Sequence, residues 1–131
     1  MSNDIKQVIV VRRDLNMRKS EMFSHAAHAS IKFIMDNNES ERGDEISVKL
    51  SGEEAKWINS GFRTIMVGID SEDALNDLIF KARLSSVEVY PIIDKGAPDE
   101  NGETTETVVC AAFGPDVVEE VDQITGHLKL L

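Results

Sequence analysis

The run KQVIVV occupies residues 6–11, near the start of the chain. Its last four side chains are all β-branched, a pattern typical of a strand buried on both faces, as in a parallel sheet. The chain then turns through RRDLN at residues 12–16. A helix follows, and we place its N-terminus at Asn16 or Ser20, because either side chain can cap it. We expect that helix to end near Asp36.

The remaining chain continues to alternate strands and helices. A capping box formed by Ser51 and Glu54 opens the second helix. Between the first two helices, residues 37–50 are polar, and only a brief extended piece is expected there. The later elements are predicted in the following order: a short helix ending near residues 59–61, a strand at 62–69, a helix capped by Ser71, a strand at 87–93, a loop at 94–106, a strand at 107–113, a helix from Pro115 to about Ile124, and an apolar tail at 127–131 that packs on the core.

This order of elements predicts an α/β fold with one sheet. The crossover helices imply parallel pairing of the first three strands, whereas the fourth strand follows the third through a loop and should run antiparallel. Pro91 cannot donate a hydrogen bond to a neighbouring strand, so the third strand should lie at an edge or contain a bulge. We therefore expect a single domain over residues 1–131. Its four-stranded mixed sheet would hold three parallel strands and one antiparallel strand, with helices on both faces.

Composition narrows the class of protein. The 131 residues are 41% hydrophobic and 29% charged, the balance of a soluble globular protein. Cys110 is the only cysteine, which excludes an internal disulfide and a four-thiolate zinc site. Because it lies mid-strand among apolar residues, we expect an inert core thiol. No apolar run approaches the roughly 20 residues of a membrane helix, and residues 1–4 do not resemble a secretory signal, so we expect a cytoplasmic protein.

The net charge of −10 is unevenly distributed along the chain. Residues 1–35 hold six basic and three acidic side chains, a balance of +3, whereas the remaining residues carry −13. The overall acidity argues against a generic nucleic-acid binder. The basic N-terminal third could still form a local anion-binding surface. From charge alone, chance and the needs of solubility are the preferred explanation of this distribution.

The predicted topology brings several polar residues to one edge of the sheet. Ligands of open α/β sheets bind beyond the carboxyl ends of the parallel strands. The first strand ends there at Arg12 and Arg13, and the third ends at Asp94. The antiparallel fourth strand begins at the same edge. The residues that we expect to meet there are Arg18, Lys19, Asp94, Thr105 and Thr107.

One flank of the first helix carries five ionisable groups. At 100° per residue, Arg18, Glu21, His25, His28 and Lys32 lie within about 80° of arc, beside the apolar stripe. Cations at a helix N-terminus oppose its dipole, but together with that terminus they can form a phosphate site. A solvated flank, in which Glu21 screens its basic neighbours, fits the residues equally well. No third ligand accompanies the two histidines, so we predict no metal site.

These segments resemble the type 2 peptidyl-tRNA hydrolase family over nearly the whole chain. The matching segments are KQVIVVRRDLNM at 6–17, AAHA at 26–29, Trp57 followed by Phe62-Arg63 and a strand, DxG at 94–96, TxT at 105–107, and TGHLxLL at 125–131. The resemblance implies a four-stranded mixed sheet flanked by helices and a homodimer. It also implies cleavage of the ester between a peptide and the 3′ end of tRNA, without a metal or another cofactor.

The site residues implied by the resemblance are present only in part. In the family, a lysine, a glutamine and a histidine lie on the first helix, with the DxG aspartate and threonines nearby. Glu21 occupies the lysine position of this chain, and His25 occupies the glutamine position. After the DxG turn, Ala97 and Pro98 replace the family's Arg-Thr. The positions that match are Asp94, Thr105, Thr107 and His28.

These residues lead to a specific functional hypothesis. We predict catalytic roles for Asp94, His28, His25 and Thr105, and substrate binding by Arg12, Arg18, Lys19 and Thr107. The leading hypothesis is a peptidyl-tRNA hydrolase-like protein that cleaves this ester, or descends from enzymes that do. Two alternatives stay open: a catalytically silent relative that binds tRNA or a protein, and a hydrolase re-purposed for a small ester.

The altered positions have a direct chemical consequence. A cation beside the scissile ester would stabilise the developing oxyanion or hold a phosphate, and glutamate does neither. Two hypotheses would restore activity. Lys19 could swing into the site, although its helical phase differs from that of Glu21 by 200°. His25 could act as a general base, since histidine is the residue most often used at neutral pH.

Overall fold

The computed structural model describes residues 4–96 and 99–131 of the chain. The replacement at Ala97-Pro98 therefore lies outside the described residues, as do residues 1–3. The helices and strands follow in the order β1 (Ile5–Arg12), α1 (Lys19–Asp36), α2 (Gly52–Asn59), β2 (Thr64–Ile69), α3 (Glu72–Arg83), β3 (Val89–Lys95), β4 (Glu106–Val117) and α4 (Val118–Thr125).

The four strands form one mixed sheet in the order β2-β1-β4-β3. β1 pairs with β2 in parallel, and β4 is antiparallel to both β1 and β3. The prediction that the first three strands pair in parallel is wrong, because among the described strands β1 and β2 form the one parallel pair. The physical reason is that β4 inserts beside β1, so β3 pairs with β4 instead of extending the parallel pair. The α/β class and the mixed, four-stranded sheet are confirmed.

β1 is buried along its whole length, as its apolar run predicts. Val8 and Val10 pack with residues of α3 and α4 on one face of the sheet. Ile9 and Val11 pack with α1 on the other face, against Ala26. The helices therefore cover both faces, and this explains why the apolar side chains of β1 are consecutive rather than alternating.

The apolar stripe of α1 is confirmed. Ala26, Ala29 and Phe33 are buried, and Met22 is partly buried against the same cluster. Phe33 is fully buried and forms an edge contact with Trp57 of α2, with ring centroids 5.8 Å apart. This contact joins the two helices on one face of the sheet.

The N-terminus of α1 differs from the prediction. Arg18 occupies the N-cap position of α1, and its side chain makes no capping hydrogen bond. The predicted caps, Asn16 and Ser20, are therefore both wrong. Asn16 has a positive φ of 52° and belongs to the preceding turn, a conformation that asparagine tolerates better than most residues. The predicted caps of α2 and α3 are confirmed. Ser51 forms the capping box, and Ser71 accepts a hydrogen bond from the backbone of α3.

β4 is longer than predicted and α4 starts later. The strand continues through Gly114-Pro115 to Val117, and its register with β1 shifts at that point. Gly114 has a φ of 89°, and a Cβ there would lie 2.8 Å from the backbone nitrogen of Asp116. The glycine therefore permits a bulge within β4, at the point where the strand was predicted to end.

The edge position of β3 is confirmed. Pro91 lies in this outer strand, and its register with β4 shifts between Ile92 and Ile93. Residues 37–50, by contrast, form no strand. Within residues 4–96 and 99–131, no helix combines the length and the apolar character needed to cross a membrane.

The C-terminal tail covers the outer edge of β2. The backbone nitrogen of Gly68 donates to the carbonyl of Lys129 at 3.0 Å, and that of Leu131 donates to the carbonyl of Met66 at 3.2 Å. Leu128 packs against the core, as predicted. Leu130 is 73% exposed. Backbone pairing therefore holds the tail more than apolar burial does.

Arg13 adds a side-chain contact to the tail. Its Nη2 donates to the carbonyl of Leu130 at 2.6 Å. The guanidinium reaches the tail across Gly68, where a Cβ would lie only 1.9 Å from its Nε. Glycine at this position therefore gives Arg13 room to reach the tail.

Replacing Phe33 with alanine should strongly destabilise the fold, because it empties a fully buried site that contacts Trp57. We expect the free energy of unfolding to fall by about 3 to 5 kcal/mol. Phe23→Ala is the matched control, since Phe23 lies on the same helix and is 60% exposed. Its cost should stay below about 0.5 kcal/mol. Urea denaturation measures both values, and equal losses would show that Phe33 does not join α1 to α2.

Candidate active site

A cavity of about 330 Å³ opens at one edge of the sheet. The carboxyl ends of β1 and β3 lie at this edge, because both strands are antiparallel to β4. The lining residues come from the turn after β1, from α1 and from the ends of β3 and β4. They are Leu15, Met17, Glu21, Asp94, Gly96, Thr105, Thr107 and Val109.

The pairing of β3 with β4 positions the polar part of this cavity. Asp94 and Thr107 are direct partners in the ladder. Two residues further on, the backbone nitrogen of Gly96 donates to the carbonyl of Thr105 at 2.9 Å. The structure thus brings Asp94, Thr105 and Thr107 together, in the arrangement expected from the topology.

His25 lies beside Asp94, at the rim of the cavity, and its side chain is not among the residues that line it. Its Nε2 is 3.9 Å from Oδ2 of Asp94, which is longer than a hydrogen bond but short enough for charge attraction. The His25 side chain is 20% exposed and that of Asp94 is 57% exposed, so solvent reaches both groups. The backbone carbonyl of His25 accepts a hydrogen bond from the Cys110 thiol at 3.6 Å, which fixes α1 against β4.

Cys110 itself is a neutral group in this contact. Burial raises the pKa of its thiol to about 12, so the thiolate is not formed near neutral pH. The side chain is buried with Ala112 and Val109 on the α1 face of the sheet. Such a neutral, enclosed thiol agrees with the inert core role expected from its position.

Glu21 is the acidic member of α1 that lines the cavity. Neither lysine nor arginine is found among the described lining residues. Arg18 and Lys19 are exposed, and their side chains form no hydrogen bond or ion pair with the part of the chain that the structure describes. The structure therefore does not bring these two cations into the cavity with Asp94.

His28 is also outside the cavity. Like His25, one turn earlier on the same helix, it does not belong to the lining, and unlike His25 its side chain is exposed. No three His, Cys, Asp or Glu side chains lie close enough to hold a metal ion in residues 4–96 and 99–131.

The Arg12 side chain is buried beneath two partly exposed carboxylates rather than free at the surface. Its Nε and Nη2 donate to the two carboxylate oxygens of Asp14, at 3.0 and 2.6 Å. Its Nη1 donates to Glu72 at 3.2 Å and to the carbonyl of Val108 at 3.1 Å. All three nitrogens therefore have protein acceptors, and the side chain is 8% exposed. Hydrogen bonding to Arg12 lowers the pKa of Asp14, and the same hydrogen bond raises that of Arg12.

Glu72 connects this network to the cavity. Its Oε2 accepts from Arg12 and also from the hydroxyl of Thr107, at 2.9 Å. Glu72 is not among the predicted site residues, because an acidic residue in the first turn of a helix is expected from the helix dipole alone. No local motif marks a glutamate that reaches a strand 35 residues later.

A second, larger cleft lies away from these residues. Its volume is about 520 Å³, and its lining contains none of the predicted site residues. Glu53, Glu54, Glu88 and Asp116 are among the carboxylates that line it. Burial raises the pKa of Asp116, and the neighbouring Glu53 raises it further. The smaller cavity is the one that contains the candidate catalytic chemistry.

Comparison with known proteins places this geometry in a family. Residues 5–131 match the family described as Peptidyl-tRNA hydrolase PTH2. The Peptidyl-tRNA hydrolase of Methanocaldococcus jannaschii is 34% identical over 128 residues, which cover 97% of this chain and 100% of that protein.

Two further archaeal proteins with the same name give similar values. The one from Sulfurisphaera tokodaii is 36% identical over 129 residues, covering 96% of this chain and 98% of the relative. The one from Methanothermobacter thermautotrophicus is 32% identical over 127 residues, covering 97% and 100%. These matches span β1, the Asp94 turn and the two threonines, and the chain is a peptidyl-tRNA hydrolase-like protein that belongs to the PTH2 family.

Proposed function

We propose that this chain hydrolyses the ester that joins a peptide to the 3′ end of tRNA, and that the reaction takes place in the 330 Å³ cavity. One observation carries the proposal. Asp94 lies 3.9 Å from His25 and shares the cavity with Thr105 and Thr107, in a chain of the PTH2 family.

The chemistry needs an activated water and a proton for the leaving group. In our proposal His25 takes a proton from water as the water oxygen attacks the ester carbonyl carbon. The bond between that carbon and the ribose oxygen then breaks, and the imidazolium returns the proton to the ribose oxygen. Asp94 stabilises the imidazolium, since its carboxylate already faces Nε2 of His25. Thr105 and Thr107 offer hydroxyls that orient the substrate.

Arg18 and Lys19 are proposed to bind the phosphates of the tRNA end. They lie in sequence between Met17 and Glu21, which line the cavity, and both side chains are exposed. Phosphate contacts position a nucleic acid without reading its sequence. Because the rest of the chain is acidic, the footprint on tRNA should be confined to this short segment.

The remaining predicted residues take different places in this proposal. The donors of Arg12 already serve Asp14, Glu72 and Val108, so Arg12 supports the site instead of binding substrate. His28 contributes only where the substrate extends beyond the cavity, because its side chain is exposed and, unlike that of His25, does not face Asp94.

We also propose that residues 1–131 act as one domain, in the cytoplasm and as a homodimer. The lone, buried Cys110 supports a reducing compartment. The homodimer is inferred from the family resemblance.

A second candidate function is a catalytically silent relative that binds the tRNA end. Glu21 favours it, because this carboxylate lines the cavity and the described lining residues supply no cation to offset it. A negative charge beside the ester would repel the developing oxyanion, whereas catalysis requires its stabilisation.

Release of an N-blocked amino acid from N-blocked aminoacyl-tRNA tests the leading proposal. We expect turnover that a metal chelator does not reduce, and a loss of about a hundredfold or more in Asp94→Asn, because asparagine cannot stabilise the His25 imidazolium on which the acid–base step depends. Asp77→Asn is the matched control, because Asp77 is exposed on α3 and does not line the cavity. No turnover by the wild type, with retained binding of tRNA, would establish the silent relative instead.

Glu21→Lys should increase turnover if the carboxylate limits the reaction. The substitution supplies a cation at the cavity, and stabilisation of this kind is worth about a hundredfold. Glu119→Lys controls for general attraction of tRNA, because it makes the same change in net charge at an exposed site on α4. Single-turnover kinetics on N-blocked aminoacyl-tRNA measure both variants. An equal increase in the two would assign the gain to long-range attraction, and the proposal about Glu21 would be wrong.

A further inference from the structure

One carboxylate oxygen of Glu72 accepts two hydrogen bonds from different parts of the site. Nη1 of Arg12 donates to Oε2 of Glu72 at 3.2 Å, and Oγ1 of Thr107 donates to the same oxygen at 2.9 Å. Thr107 lines the cavity, whereas Glu72 does not. Glu72 therefore contacts a lining residue from outside the cavity.

The contact fixes what the Thr107 hydroxyl can offer to a ligand. A threonine hydroxyl has one proton to donate and two lone pairs that can accept. Thr107 donates this proton to Oε2 of Glu72. Only the lone pairs remain, so the hydroxyl can accept a hydrogen bond from a ligand but cannot donate one.

Arg12 makes this orientation persistent. Arg12 holds Glu72 from one side, while Asp14 and the carbonyl of Val108 hold Arg12. The guanidinium has donors only, so Glu72 must present an acceptor oxygen to it. The same oxygen then stays available to the Thr107 proton.

We propose that Glu72 is a positioning residue, which binds the Thr107 proton and thereby presents the Thr107 oxygen to an O–H donor at the scissile ester. Two groups there have this chemistry: the ribose 2′-hydroxyl next to the ester, and the attacking water. The inference rests on the proposed function, because both donors belong to that reaction.

A double-mutant cycle tests whether Glu72 acts through Thr107. Glu72→Ala and Thr107→Val should each lower kcat/KM about tenfold, the scale of one lost hydrogen bond. The double variant should also lose about tenfold, because the second change removes an interaction that is already gone. A loss of about a hundredfold in the double variant would show independent effects and would overturn the proposal.

Glu72→Gln separates positioning from a structural role. Its amide oxygen can accept from Arg12 and Thr107, so we expect it to recover most of the activity lost in Glu72→Ala. Urea denaturation of each variant identifies losses that come from unfolding. Activity in Glu72→Gln as low as in Glu72→Ala, with both proteins folded, would overturn the proposal.

A substrate with a terminal 2′-deoxyribose identifies the donor. If Thr107 accepts from the 2′-hydroxyl, the deoxy substrate should lower kcat/KM about tenfold in the wild type and have no further effect in Glu72→Ala. If Thr107 accepts from the attacking water, the deoxy substrate should lower kcat/KM by the same factor in both proteins. The first pattern supports the proposal with the 2′-hydroxyl as the donor. Equal penalties together with a non-additive cycle support it with the attacking water as the donor, and a penalty larger in Glu72→Ala than in the wild type would contradict it.

A non-cleavable probe distinguishes failure of this inference from failure of the proposed function. The probe is the 3′-amide analogue of N-blocked aminoacyl-adenosine. Its Kd is measured by calorimetry for the wild type, Glu72→Ala, Thr107→Val and the double variant. No turnover by the wild type, with non-additive losses in Kd across the cycle, would overturn the proposed reaction but support the role of Glu72. No turnover with additive losses, or with no binding by the wild type, would overturn both.

Discussion

β1 must be covered on both faces and along both of its edges, and the rest of the fold meets this requirement. Its side chains are buried throughout, and its backbone pairs with β2 on one side and with β4 on the other. Helices α3 and α4 cover one face, while α1 covers the other. Arg12 ends this strand, so a fully buried strand leads directly into the network of Asp14 and Glu72. The cavity thus adjoins a closely packed element, the kind of support that catalytic geometry requires.

Local patterns in the sequence identified most of the elements but not how they are arranged. The run at 6–11, the capping box at Ser51 and the apolar stripe of α1 depend on neighbouring residues, and each appears as expected. The insertion of β4 beside β1 depends on pairing between strands about 100 residues apart, which no local pattern encodes. The extension of β4 past Gly114 was missed because glycine and proline are found both where a strand ends and where it forms a bulge.

The candidate site shows the same division. Asp94, Thr105 and Thr107 come together because the end of one strand and the start of the next are neighbours in any hairpin-like connection.

Arg12 was expected at a binding surface, since a basic residue at a strand end is normally solvated, but Asp14 and Glu72 enclose it. The burial of a cation depends on partners from distant elements, here α3, and only the folded chain reveals them. Arg18 and Lys19 lie at the start of α1 and stay exposed, although Met17 and Glu21 on either side of them line the cavity.

The two outer strands of the sheet are protected in different ways. The tail at 129–131 occupies the free backbone groups of β2, while β3 carries Pro91 and a shift in register. Open strand edges are the usual route by which β-proteins add strands from other molecules and aggregate. With one edge filled and the other interrupted, continuous strand addition between copies of this chain is disfavoured. Any assembly of this protein with itself would therefore use its helices and loops, and the sheet would remain a closed unit within each copy.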